Sequence, residues 1–243
     1  MAMITTIELK SILESKGSFR IVFLGDSITS TEWVHPNWRE IVEYVLKEEM
    51  AKIVDNWKSA SWGIRTINCG YDGSTSRDIL KEKLEEVESF KPDLVISIMG
   101  GNDTILGVGV EESRENIEKI TEELERKGIR VFWCNSIAGL NEKKNKRYEE
   151  YAKATLDIEG SEKRKYFDLF NEYKKFDLKK FFTFLSEENL DEGIKEGEID
   201  TVHPNQLGNA YIAKIILREV FGIGLNPEKY IETTNKGYKY PEY

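Results

Sequence analysis

Short uninterrupted apolar runs alternate along this chain with longer segments in which apolar residues recur every three or four positions. A brief apolar run bounded by turn residues is the pattern of a strand buried on both faces. Such runs predict strands at Arg20 to Leu24, Ile64 to Asn68, Leu94 to Met99, Ile129 to Trp133 and Tyr166 to Leu169. Helical spacing sets Ile79, Leu84 and Val87 on one face of Thr75 to Phe90, with Ser76 as its cap. It does the same for Ile117, Ile120 and Leu124 within Ser113 to Lys127, where Gly128 is the expected left-handed stop. A last helix is expected over Pro204 to Phe221, carrying Leu207, Tyr211, Ile215 and Ile216, with Pro204 in its first turn. Strand alternating with helix implies an α/β fold, a central and mostly parallel five-stranded sheet with helices on both sides. With no internal repeat and no low-complexity linker, residues 1–243 read as a single domain. Asn171 to Ile199, charged and aromatic by turns, is expected to form helical and loop excursions at the site rim, with its apolar side packed inward.

In an open parallel sheet, ligands bind beyond the carboxyl ends of the strands. The residues with chemical potential fall there. Ser27, in Gly25-Asp26-Ser27, follows the first strand. Gly73, in the glycine-rich turn Asn68 to Ser76, follows the second. Asn102, in Gly100-Gly101-Asn102-Asp103, follows the third. Each motif alone is ordinary turn chemistry. Far downstream, Asp200-Thr201-Val202-His203 sets a carboxylate and an imidazole on one loop. A serine at a strand end with a remote Asp-x-x-His supplies the parts of a nucleophile, a base and its orienter. The chain has 2 histidines. The second, His35, reads as a loop residue near the pocket mouth with a structural role.

Composition narrows the classes. The net charge of −9 makes the chain a poor partner for nucleic acid. The basic run Lys143 to Arg147 is flanked by acids and reads as a solvated helix face. Cys69 and Cys134 are too few for a disulfide framework and read as buried free thiols. No apolar run reaches the roughly 18 residues of a membrane span, so no membrane insertion is expected. The start, Met1-Ala2-Met3-Ile4-Thr5, lacks a signal pattern. A cytoplasmic location is the default, with a removed signal left open, and a homo-oligomer is left open too. No metal-ligand motif, phosphate loop, dinucleotide fingerprint or Gly-x-Ser-x-Gly elbow is present, so neither metal nor cofactor is expected.

Taken together, the segments at Gly25, Gly73, Asn102 and Asp200 to His203 resemble the SGNH hydrolases, the GDSL-type esterases and lipases. The matching segments run in that family's order across most of the chain. The resemblance implies a flavodoxin-like three-layer α/β/α sandwich. It implies Ser27 as nucleophile, His203 as general base and Asp200 as its orienter. It further implies an oxyanion hole from the Ser27 and Gly73 backbone N–H groups and the Asn102 side chain, and ester hydrolysis through an acyl-serine without a metal. Thr201 stands where the family commonly has glycine. Trp33 and Tyr71, near these loops in sequence, are candidate walls for a sugar ring or small acyl group. The expected substrate is a small-molecule ester, short-chain or an acetylated carbohydrate. The alternatives are a lysophospholipase or thioesterase of the same family, and a catalytically silent binding protein.

Overall fold

The structure is a computed structural model that describes residues 2–190 and 193–243. Its centre is a five-stranded sheet in the order β2-β1-β3-β4-β5. The strands are β1 (Phe19–Gly25), β2 (Ile64–Gly70), β3 (Leu94–Ile98), β4 (Arg130–Cys134) and β5 (Arg164–Phe167). Every pairing is parallel. Strand side chains point alternately to the two faces, and here both faces are covered. Ile21, Phe23, Leu94, Ile96, Ile98 and Phe132 enter one core. Val22, Leu24, Val95, Val131 and Trp133 enter a second core on the other side. That is why the strands read as continuous apolar runs.

The helices in chain order are α1 (Thr6–Lys16), α2 (Trp38–Ile53), α3 (Trp57–Gly63), α4 (Ser76–Asp78), α5 (Leu84–Ser89), α6 (Val110–Arg126), α7 (Glu142–Leu156), α8 (Leu169–Lys174), α9 (Gln206–Ile216) and α10 (Pro227–Asn235). A π-helical turn over Ile79–Lys83 joins α4 to α5, so the expected 75–90 helix is one stretch with a bulge. Its cap is Thr75, whose hydroxyl meets the Asp78 N–H, rather than Ser76. The expected basic helix face is α7. Leu9, Val42, Leu46 and Ile212 bring α1, α2 and α9 onto the first core, while Ile117, Ile120 and Leu124 bring α6 onto the second. The three-layer α/β/α sandwich follows.

Several expected boundaries move, and α6 opens at Val110 rather than Ser113. β5 starts and stops earlier than Tyr166 to Leu169, because Leu169 already opens α8 behind the N-cap Asp168. Pro204 lies outside α9. Asn205 is the N-cap, its side chain accepting from the Gly208 N–H. The Asn171 to Ile199 segment is also only partly as expected. Phe181 and Phe182 are buried, but Leu185 is 62% exposed and Ile199 50%. These two residues pair as an isolated antiparallel bridge outside the five strands. Cys69 and Cys134 are free and buried. Burial pushes the Cys69 thiol up to about 11 and the Cys134 thiol well above its usual value. Among the described residues, no helix is long and apolar enough to cross a membrane.

Candidate active site

The sheet reverses its winding direction at β1, and this switch point opens a crevice beyond the ends of β1 and β3. Ser27 sits there on a tight turn. The Asp26 carbonyl accepts from Thr29 N–H at 2.9 Å and Ser30 N–H at 3.0 Å, and Asp26 Oδ1 accepts from Ile28 N–H at 3.1 Å. The turn needs glycine beneath it. A Cβ on Gly25 would lie 2.6 Å from the Ile98 carbonyl, and one on Gly70 would collide with the Ser30 backbone. From above, Asn37 Nδ2 donates to the Ile28 and Ser30 carbonyls, each at 3.1 Å. Trp38 Nε1 adds a bond to Ile28 O at 3.1 Å. The start of α2 therefore clamps the loop that carries Ser27.

The 200–203 loop arrives from the other side. Asp200 N–H donates to Phe184 O at 2.9 Å, anchoring the loop to the bridge segment. Asp200 Oδ1 accepts from Val202 N–H at 2.8 Å and His203 N–H at 3.0 Å, an Asx-type turn. Its other oxygen, Oδ2, lies 2.7 Å from His203 Nδ1. His203 Nε2 lies 2.9 Å from Ser27 Oγ. Asn209, on α9, fixes this loop relative to α2. Its amide donates to Pro204 O at 2.9 Å, and its oxygen accepts from Trp38 N–H at 3.1 Å. The structure thus brings Ser27, His203 and Asp200 into one hydrogen-bonded chain.

Charge sets the direction of that chain. Burial works to raise the Asp200 carboxyl, but the His203 ring and two backbone N–H donors outweigh it and hold the group below its ordinary value. An ionised carboxylate only accepts, so His203 Nδ1 carries the proton. Nε2 is then free to accept from the Ser27 hydroxyl. Asp26 behaves oppositely. Burial, with Asp103 nearby, pushes its carboxyl up to about 7 against the pull of the Ile28 N–H and His203.

Asn102 is buried beyond β3, and its Nδ2 donates to Ser74 O at 3.0 Å. One of its two amide hydrogens remains for another acceptor. This bond ties Asn102 to the loop carrying Gly73, whose φ of 70° needs glycine. Ser27, Asn102, Asp26 and Ser136 bound one small cavity of about 20 Å³, close to the size of a single water. Beyond His203 lies an open cleft of about 1060 Å³. Trp33 lines it. Tyr71 does not reach it, because its hydroxyl donates to Glu86 Oε2 at 3.0 Å and its ring packs on the second core. His35 also lies elsewhere. Its ring is exposed, sits 2.9 Å from Glu40, and lines a separate groove with Tyr230. Sequence reasoning missed the acidic rim of the cleft, Glu32, Asp72, Glu187 and Glu188. Among the described residues, no group of three or more His, Cys, Asp or Glu side chains is placed to hold a metal ion.

A family model, the GDSL-like lipase/acylhydrolase family, matches residues 23–211, which include the Ser27 turn, Asn102 and His203. The chain belongs to this family. No curated protein matches the sequence. Among solved structures, a lipase/acylhydrolase from Enterococcus faecalis aligns with a TM-score of 0.61 at 23% identity, covering 83% of this chain and 94% of its own. Axe2, an acetylxylan esterase from Geobacillus stearothermophilus, aligns with a TM-score of 0.63 at 20% identity, covering 86% and 95%. The acetyl xylan esterase AlAXEase aligns with a TM-score of 0.56 at 20% identity, covering 80% and 96%. At such identities the likeness is one of fold, the α/β architecture of SGNH hydrolases.

Proposed function

We propose that this GDSL-family hydrolase is a serine esterase acting on short-chain esters of neutral alcohols, acetylated carbohydrates among them. The observation that carries the chemistry is the continuous bond path Ser27 Oγ–His203–Asp200. Ser27 Oγ attacks the acyl carbonyl carbon while its proton passes to His203 Nε2. Asp200 holds the imidazolium that forms. The oxyanion is received by the Ser27 and Gly73 backbone N–H groups and the free amide hydrogen of Asn102. The tetrahedral species collapses, and His203 gives its proton to the departing alcohol. Water, activated by the same imidazole, then releases the acid from Ser27. An intact proton path argues against the silent-binder alternative.

The substrate class rests on the cleft. Glu32, Asp72, Glu187 and Glu188 line it, and its described lining residues include no lysine or arginine. At an effective dielectric of about 20, two like charges 4 Å apart cost about 4 kcal/mol, less with distance and salt. A phosphate brought among these carboxylates meets repulsion with no cation to offset it. That disfavours lysophospholipids and phosphate-bearing thioesters. Phe184 and Leu185 supply limited apolar wall, suited to a sugar ring or short acyl group rather than a long chain. Measured kcat/KM should therefore be higher for acetyl and butyryl esters than for palmitoyl esters, and acetylated neutral sugars should be accepted. Esters bearing a phosphate should react at least tenfold more slowly than neutral counterparts, with the gap narrowing in high salt. A preference for long-chain lysophospholipids overturns this substrate class.

Asn102 gives a separate test. Asn102→Ala should lower kcat about 10²–10³-fold, the usual loss for one oxyanion donor, with KM changed far less. A raised KM with kcat preserved would assign Asn102 to ground-state binding instead.

A further inference from the structure

The Trp33 ring lies on the His203 ring. Their centroids are 3.8 Å apart and their planes differ by 2°. The indole is held in place from its far edge, since Trp33 Nε1 donates to Asp72 Oδ2 at 3.2 Å. Trp33 belongs to the loop that carries Ser27, Asp72 precedes Gly73 on the loop after β2, and His203 sits on the loop before α9. One side chain therefore joins the three segments on which the proposed reaction depends.

Its geometry is informative. Neutral aromatic rings prefer offset or edge-to-face contact to a close parallel stack, because the negative faces of their π systems repel. A cationic ring reverses that preference, since an indole face attracts positive charge within about 6 Å. The stack on His203 is thus favoured more when the imidazole is protonated than when it is neutral. In the esterase reading, the imidazole becomes positive as Ser27 attacks. An interaction stronger in that state than in the ground state accelerates the step.

Resting on that reading, we infer that Trp33 is a positioning residue for His203: Asp72 fixes the indole, and the indole fixes the imidazole plane and stabilises the imidazolium. This differs from a role as a wall for substrate. The other charged groups facing the imidazole are Asp200 at Nδ1, Asp26 behind the Ser27 turn, and the cleft carboxylates Glu32, Asp72, Glu187 and Glu188. All are acidic and all remain in the variants that remove only the indole.

The test is steady-state hydrolysis of p-nitrophenyl acetate by the full chain across pH 5–9. Trp33→Leu keeps water off the ring but removes the π face. It should lower kcat about tenfold with KM changed less than twofold. It should also move the acid limb of the kcat/KM profile down by about half a unit to one unit, the range expected from losing a cation–π contact. Trp33→Phe, which keeps a weaker π face, should recover most of kcat. Asp72→Ala should act in the same direction but less, because the indole keeps its contact with the imidazole and loses the acceptor for its N–H. Thermal melts accompany each variant, and the Phe variant serves as the readout if the Leu variant melts early. A raised KM at unchanged kcat in Trp33→Leu overturns the inference in favour of a substrate platform. An unmoved acid limb, or a Phe variant no better than Leu, overturns it too. A wild-type chain that neither hydrolyses acetyl esters nor reacts with a fluorophosphonate overturns the esterase reading itself, whereas an active wild type with an indifferent Trp33→Leu overturns the positioning role alone.

Discussion

Ser27→Ala should leave a folded protein with ester turnover lowered on the order of 10⁶-fold, the scale of loss when a serine nucleophile is removed from such a relay. The fold should survive because the Ser27 hydroxyl serves nothing structural. Its bond is to His203 Nε2, while the turn is held by the Asp26 carbonyl and carboxylate and by Asn37 from α2. The Ser27 backbone N–H also remains, so the proposed oxyanion donors are unchanged in the variant. Treatment of the wild type with a fluorophosphonate, followed by peptide mass spectrometry, should place the adduct on the peptide containing Ser27. The Ala variant should take up none. An adduct on another serine, or a variant that keeps more than a hundredth of its activity, would remove Ser27 from the mechanism.

The candidate site was legible in the sequence to the extent that its parts are local. Asp200 and His203 sit three residues apart because one carboxylate oxygen accepts from the backbone of the same turn while the other faces the ring. Gly25 and Gly70 stand out because the Ser27 turn packs on bare backbone. Strands β1, β3 and β4 were visible because both their faces are buried. β5 is displaced from its expected place because it opens on the charged pair Arg164 and Lys165, which align with β4, while the apolar Leu169 that extends the run belongs to α8. What depends on tertiary meeting was not legible. The stack of Trp33 on His203 joins positions 170 residues apart, and no periodicity encodes it. Tyr71 lay beside the glycine-rich turn in sequence, yet the bond to Glu86 turns it away from the cleft. The acidic rim is not legible in the sequence because Glu187 and Glu188 lie in a segment already rich in charge. The Leu185–Ile199 bridge and the Ser186 N–H bond to Glu198 O hold the segment in which they line the cleft.

Asp200→Asn offers the most discriminating variant after Ser27, because the structure dictates how the new amide must point. The Oδ1 position is claimed by two backbone donors, Val202 N–H and His203 N–H. An asparagine keeps both bonds only by placing its amide oxygen there. Its NH₂ then faces His203 Nδ1, which must become an acceptor. The ring proton moves to Nε2, where it confronts the Ser27 hydroxyl and blocks proton transfer from it. Turnover should fall about 10⁴-fold, the loss expected when this relay is left in the wrong tautomer, with KM little changed. The same carboxylate makes a stability prediction. Its folded value lies below the ordinary one because the His203 ring and backbone donors overcome burial. Its contribution is therefore fully present above the unfolded aspartate value of about 3.9, and it is lost as pH falls through the folded value. The Tm deficit of Asp200→Asn relative to wild type should be present above that unfolded value and should shrink in acid below it. A deficit that persists undiminished well below that value would mean that folding does not hold the carboxyl ionised. A kcat within tenfold of wild type would mean that Asp200 does not set the tautomer of His203, and the proposed proton path would fail with it.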